Sequence, residues 1–174
     1  MGAYNTPPDV LRELQRMRDR IGALEVQSQQ APQPICYTYL SSDFSLAHDA
    51  TGATTVYIPW AGVSADTDQM WDAADPTKIT LPYAGVWLVA SNTVWRTNAS
   101  GHRVSRNDVG PAVTTPVGAT VLPASPTLET SYSTVGTRRL SAGDFLRLRC
   151  IQSSGGSLDV TGGTAMTVLY LGAG

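Results

Sequence analysis

Three aspartates crowd one short stretch, Asp66, Asp68 and Asp72. Oxygen donors this close together could serve a calcium ion. The spacing is not that of an EF-hand, whose glycine and bidentate glutamate are missing, so a solvated turn is the competing reading. His48 and His102 are the only histidines. Neither stands in an H-E-x-x-H helix or beside a G-x-S-x-G elbow. There is no phosphate-cradling P-loop and no G-x-G-x-x-G. Paired carboxylates in a setting suited to glycoside hydrolysis are also missing. The expectation is a protein that is not an enzyme and needs no cofactor or metal.

Aromatic and basic side chains offer binding chemistry instead. Trp60, Trp71, Trp87 and Trp95 stand among seven tyrosines and two phenylalanines. Trp87, close to Gly85, reads as core or as a contact between chains. Trp60, Trp71 and Trp95 either pack or stack on sugars at a surface. Exposed aromatics and polar turn residues are the natural ligand contacts, which nominates Trp60, Trp71, Asn98 and His102. Lys78 is the only lysine among twelve basic residues. Arg138-Arg139 and Arg147/Arg149 could form a basic patch on adjacent segments of one sheet, or a solvated face balanced by Asp144 and Asp159. No aromatic residues interleave with them, so nucleic acid is not an expected partner. Cys36 and Cys150 lack metal or C-x-x-C spacing. They read as two buried small hydrophobes or, if neighbours in a sheet, as one bridge.

The elements that position these residues divide the chain near residue 30. Hydrophobic residues reach 42%, enough for a core, while charged residues are only 15%. A net charge of -2 gives no general pull towards nucleic acid or anionic membrane. No apolar run approaches the roughly 18 residues of a membrane span. Met1-Gly2-Ala3-Tyr4 does not open a secretion signal, so synthesis in a cytoplasm is expected.

Residues 1–30 read as an attachment segment and helical stem. Thr6 can cap the helix and Pro7 suits its first turn. Val10, Leu14, Met17, Ile21 and Leu24 follow one another at spacings of 4, 3, 4 and 3, a heptad seam. Glu13 with Arg18, and Arg20 with Glu25, would pair across a parallel interface. Arg20-Ile21-Gly22-Ala23-Leu24-Glu25 resembles the R-h-x-x-h-E pattern of short trimeric coiled coils, which implies three strands. Val10, Leu14, Met17, Arg20, Ile21, Leu24 and Glu25 are therefore the expected trimerisation residues. Residues 31–34 form a proline-bearing linker.

Residues 35–174 read as a β-sandwich. Strands are expected near 35–40, 54–59, 78–83, 86–96, 102–107, 111–122, 128–140, 144–152 and 164–171, separated by glycine-rich turns. Over 144–152 the pattern alternates cleanly, Leu146, Leu148 and Cys150 facing one way and Arg147, Arg149 and Ile151 the other. Short strands at this spacing mean a sandwich or jelly roll.

Ile79-Thr-Leu-Pro-Tyr-Ala-Gly85-Val-Trp-Leu-Val89 resembles the strand–proline–glycine–aromatic signature of complement-type globular heads and their tumour-necrosis-factor-like relatives. Leu140-Ser-Ala-Gly143-Asp144-Phe-Leu-Arg-Leu148 is similar to the Leu-x-x-Gly-Asp motif of the same superfamily. Met166-Thr-Val-Leu-Tyr-Leu-Gly172 is similar to their last core strand. Asp66-Thr-Asp-Gln-Met-Trp71-Asp72 and Trp95-Arg-Thr-Asn98-Ala-Ser-Gly101-His-Arg103 resemble heads of tail and fibre proteins of actinobacterial phages. The resemblance implies a jelly-roll head on a short parallel coiled coil, assembled as a homotrimer on a phage virion. Its partners would be copies of itself, other virion proteins through the N-terminal segment, and a host surface glycan. Tail attachment is favoured by the host-contacting habit of such heads. A capsid decoration, favoured by the lack of a long shaft, is the alternative, and a soluble lectin-like or cytokine-like module is a further one.

Overall fold

A computed structural model describes residues 33–49, 51, 56–111 and 116–173, together with positions 10, 12–13 and 15–20 nearer the N-terminus. The chain divides into two units, Met1–Pro32 and Gln33–Gly174. In the first, every described position is helical and exposed. Gln15 Nε2 donates to Asp19 Oδ1 at 3.0 Å and Arg16 lies 3.5 Å from Glu13. These i,i+4 and i,i+3 pairs are the ones a helix brings together. Of the expected seam, Val10 and Met17 are 46% and 52% exposed. Leu14, Ile21, Leu24 and Glu25, and the expected cap Thr6, lie outside the described residues. A coiled coil is not evident among the described positions.

Among its described residues the second unit holds twelve strands: β1 (Ile35–Tyr39), β2 (Phe44–Leu46), β3 (Val56–Tyr57), β4 (Gly62–Asp66), β5 (Ile79–Thr80), β6 (Gly85–Trp95), β7 (Asn98–Gly110), β8 (Gly118–Ser125), β9 (Thr130–Leu140), β10 (Phe145–Gln152), β11 (Leu158–Val160) and β12 (Ala165–Gly172). All pair antiparallel, in two sheets. In the larger sheet β6 is the hub. β9 pairs along all of Gly85–Trp95, leaving the other edge of β6 to β12 and β11. β1 continues the sheet beyond β12, β4 lies beyond β1, and β2 flanks β11. In the smaller sheet β10 pairs β7 along its length, with β3 and β5 on its other edge and β8 beyond β7.

One core joins the sheets. Trp87, Val89 and Trp95 of β6, Met166 and Val168 of β12 and Cys36 of β1 meet Leu146, Leu148 and Cys150 of β10. The strict alternation of burial along β6 and β10 is the two-residue period of a pleated strand. Part of this interior is polar. Arg103, Ser105 and Asn107 are buried on β7, Ser91 and Thr93 on β6, and Thr134 on β9. Arg103 donates to Thr130 and to the Pro123 carbonyl, so a guanidinium is buried on neutral partners.

The segment leading into β6 explains its own composition. Leu81 is fully buried, the Tyr83 carbonyl accepts from Trp87 Nε1 at 3.2 Å, and Gly85 lies against the end of β12. A Cβ at Gly85 would stand 2.4 Å from the Gly172 carbonyl oxygen, so only glycine permits this approach.

Candidate association face and basic clefts

Sequence reasoning nominated four ligand contacts, and packing places them in two separate groups. Trp60 is 2% exposed in the core and presents no ring face to a ligand. Trp71 is half-buried, with Nε1 donating to the Pro76 carbonyl, the residue whose carbonyl also accepts from Trp60 N. Asn98 is buried, and its amide bonds Ser100 O and Ser125 N within the β7–β8 corner. His102 alone is exposed, at the same corner, where its backbone N–H donates to Ser153 Oγ. Trp87 and Trp95 are fully buried. Trp60 and Trp95 are thus enclosed, Trp95 on the inward phase of β6, while Trp71 keeps part of its surface uncovered at the turn that it helps to hold.

The aspartate cluster is spent on turns. Asp66 accepts the N–H groups of Met70 and Trp71 at 2.8 and 3.0 Å, Asp72 that of Ala74, and Asp68 the Tyr83 hydroxyl. Among the described residues no three acidic, histidine or cysteine side chains converge as metal ligands. His48 Nδ1 accepts from the Gly155 N–H. Cys36 and Cys150 are free thiols in different sheets, both buried.

The larger sheet has an outer face of another character. Where β6 turns Trp87, Val89 and Trp95 inward, it turns Val86, Leu88, Ala90 and Val94 outward. Register extends the apolar surface sideways in rows. Leu88 stands beside Leu169, which stands beside Ile35. In the next row Ala90 lies between Val135 and Thr167, and Thr167 beside Tyr37. Val135 is 60% exposed, and Tyr37, Tyr39 and Leu171 are also uncovered. A half-solvated antiparallel sheet normally alternates apolar-in with polar-out. Here the first half of the central strand, Val86–Ala90, is apolar on both faces, before Ser91 and Thr93 turn inward and Asn92 outward, and an exposed contiguous apolar surface marks a candidate association site.

The smaller sheet presents the opposite chemistry. Phe145, Arg147 and Arg149 face outward from β10. Register puts Arg147 beside Asp108, and Arg149 beside Arg106 on one side and Tyr57 on the other. With the segment Val109–Pro111 they line a cleft of about 270 Å³. A second cleft of about 310 Å³ shares Val109, Gly110 and Pro111 and adds Arg138, Arg139 and Asp144. The expectation of one patch on adjacent strands is thus corrected. The arginine pairs belong to β9 and β10, in different sheets, and the Gly110–Pro111 segment borders both clefts. Neither pair's cleft includes Asp159.

No family model matches the sequence, and a search of curated proteins finds no match. Solved structures do match. The globular domain of zebrafish complement 1qA protein is 9% identical, with 81% of this chain and 99% of that chain covered and a TM-score of 0.58. Eiger TNF from S. frugiperda is 13% identical over 83% of this chain and 96% of that one, with a TM-score of 0.57. Murine APRIL is 12% identical over 80% of this chain and 100% of that one, with a TM-score of 0.57. At these identities the likeness is one of fold: the second unit is a jelly roll of the complement-head and tumour-necrosis-factor type.

Proposed function

We propose that three copies of this chain assemble into a non-enzymatic appendage of a phage virion, attached to the tail, whose heads contact the host surface. The observation that carries the assembly is the outward apolar surface of β9, β6, β12 and β1, which only another protein surface would cover. Further copies of this chain are the occupants. The heptad seam independently calls for self-association, and the R-h-x-x-h-E match favours three strands. Complement and tumour-necrosis-factor domains share the fold. The virion location rests on the short motifs around Trp71 and Asn98 that resemble phage tail heads, and on a helix-then-sandwich order suited to a stem and head. Residues 1–26 would attach the stem to other virion proteins. The non-enzymatic reading is supported by carboxylates and histidine nitrogen engaged in turn hydrogen bonds.

Light scattering on the purified chain should give about three times 18.5 kDa. A monomer at micromolar concentration overturns the trimer. Gold-labelled antibody on purified particles should decorate the tail. Label on the capsid would establish the decoration reading, and unlabelled particles would overturn the virion reading altogether.

A further inference from the structure

The cleft on the smaller sheet concentrates positive charge in a protein whose net charge is -2. It is lined by Arg106, Arg147 and Arg149 with Asp108 as the single carboxylate. Arg147 is the distinctive member. Its guanidinium lies 4.6 Å from the centre of the Tyr57 ring and 4.7 Å from that of Phe145, so two aromatic rings fix its position. Its Nε is shielded from solvent with no hydrogen-bond partner. The rings therefore pre-position the cation, and a ligand entering the cleft would meet its terminal nitrogens rather than the shielded Nε. A guanidinium held in this way suits a planar carboxylate, which accepts two parallel N–H donors.

The rest of the lining narrows the carrier of that carboxylate. Arg106 Nε bonds Asp108 Oδ1 at 2.7 Å, so Asp108 is oriented and its other oxygen can accept from a hydroxyl. A cleft of this volume lies near the small end of ligand sites, about the size for one sugar ring. Polynucleotide binding uses open aromatic faces for base stacking. Here both rings are covered by Arg147. Beyond Gly110–Pro111, the second cleft repeats the theme with Arg138, Arg139 and Asp144. Carboxylates on successive sugar units could then occupy the two clefts.

We propose that this cleft binds an acidic saccharide through its uronate carboxylate, with Arg147 and Arg149 receiving the acid and Asp108 a hydroxyl. The proposal deepens the host-contact part of the function above, and needs neither the trimer nor the tail location. The site lies on the smaller sheet, so association through the larger sheet's outer face does not require its burial.

Calorimetry with the full chain tests it, using tetragalacturonate, its methyl ester and oligo-dT as probes. Tetragalacturonate should bind, weakening as salt rises. The ester should not bind detectably, and oligo-dT should bind at least tenfold more weakly. Arg147→Gln should lower tetragalacturonate affinity by about tenfold or more, the scale of one lost charge-assisted bond. Arg96→Gln, whose parent side chain pairs with Asp43 and Glu129, should change nothing. If Arg147→Gln does not melt like the parent, Arg149→Gln and the parent's own probe ranking decide. Equal binding of acid and ester, binding unchanged within twofold in a folded Arg147→Gln, oligo-dT bound as tightly as the acid, or no saccharide bound would each overturn the site. Light scattering on the same samples reports the oligomer separately, so loss of the cleft and loss of the trimer are distinguishable.

Discussion

At the scale of single residues, burial decides chemistry more than residue type does. Cys36 and Cys150 carry the only thiols, yet burial pushes each up to about 12, with the nearby Asp66 charge adding to the effect on Cys36. A thiol reagent at pH 8 should leave both unmodified in the folded protein and label both after unfolding. Stability follows from the same shift. The folded state keeps thiol protons that the unfolded chain begins to release near its ordinary value of 9. This contribution is complete below pH 9 and is lost as pH rises from 9 towards 12. The melting temperature should therefore fall across that window, and Cys36→Ala with Cys150→Ala should flatten the fall. An equally steep decline in the double variant would remove the thiols from the account. Trp60 shows the same rule from the other side, since its ring was attractive as a sugar platform and is enclosed instead.

At the scale of elements, the long strands were legible and the corners were not. β10 declared itself because apolar residues recur every second position, and its facing side chains matched the expected alternation, while β6 was legible as an apolar, aromatic-bearing run that follows the Pro82–Gly85 turn. β2 and β11 have three residues each, too few for any period to register. β4 reads Gly-Val-Ser-Ala-Asp, polar enough to pass for loop. The start of β7 was hidden for a different reason. Asn98-Ala-Ser-Gly101 has turn composition, yet it pairs with β8 through a register shift between Asn98 and His102. Composition also misleads about the inward phase of β7, which carries Arg103, Ser105 and Asn107 rather than Val104. The arginine clefts were half visible, as two pairs in sequence. That Gly110–Pro111 would border both clefts depends on the crossing between sheets, which no local pattern encodes.

Gly101 tests the bulge that opens β7. Its φ of +79° is a left-handed conformation, and an added Cβ would stand 2.0 Å from the Ser153 carbonyl oxygen. Left-handed strain alone costs about 1–3 kcal/mol for a residue other than glycine. Gly101→Ala should therefore lower stability by at least that much in denaturant unfolding, because backbone on the facing loop must also move. Gly155 has a similar φ of +89° with open space around it, so Gly155→Ala should cost less. Equal costs would show that the close approach to Ser153 contributes nothing.

At the scale of the molecule, the two sheets present outer faces of different character, one apolar at its centre and one bearing Arg106, Arg147 and Arg149. If the apolar face of β6 joins the heads, Leu88 at its centre should control assembly. In a single chain Leu88 faces outward between Leu169 and Thr137, so an aspartate there would meet solvent and leave the head folded. In a trimer the same substitution would place three carboxylates in a closed apolar contact, each costing several kcal/mol to desolvate. The stem could not compensate, because about two and a half heptads are marginal on their own in water. Leu88→Asp should thus be a β-rich monomer by circular dichroism and light scattering at micromolar concentration. Val121→Asp, at an exposed position of β8 in the smaller sheet, should remain trimeric. Ile21→Asp should unwind the stem while the heads stay associated, more weakly than in the parent. A Leu88→Asp trimer with parental stability would move the interface elsewhere. A monomer from Ile21→Asp alone would give the stem, rather than the sheet face, the larger share of the association.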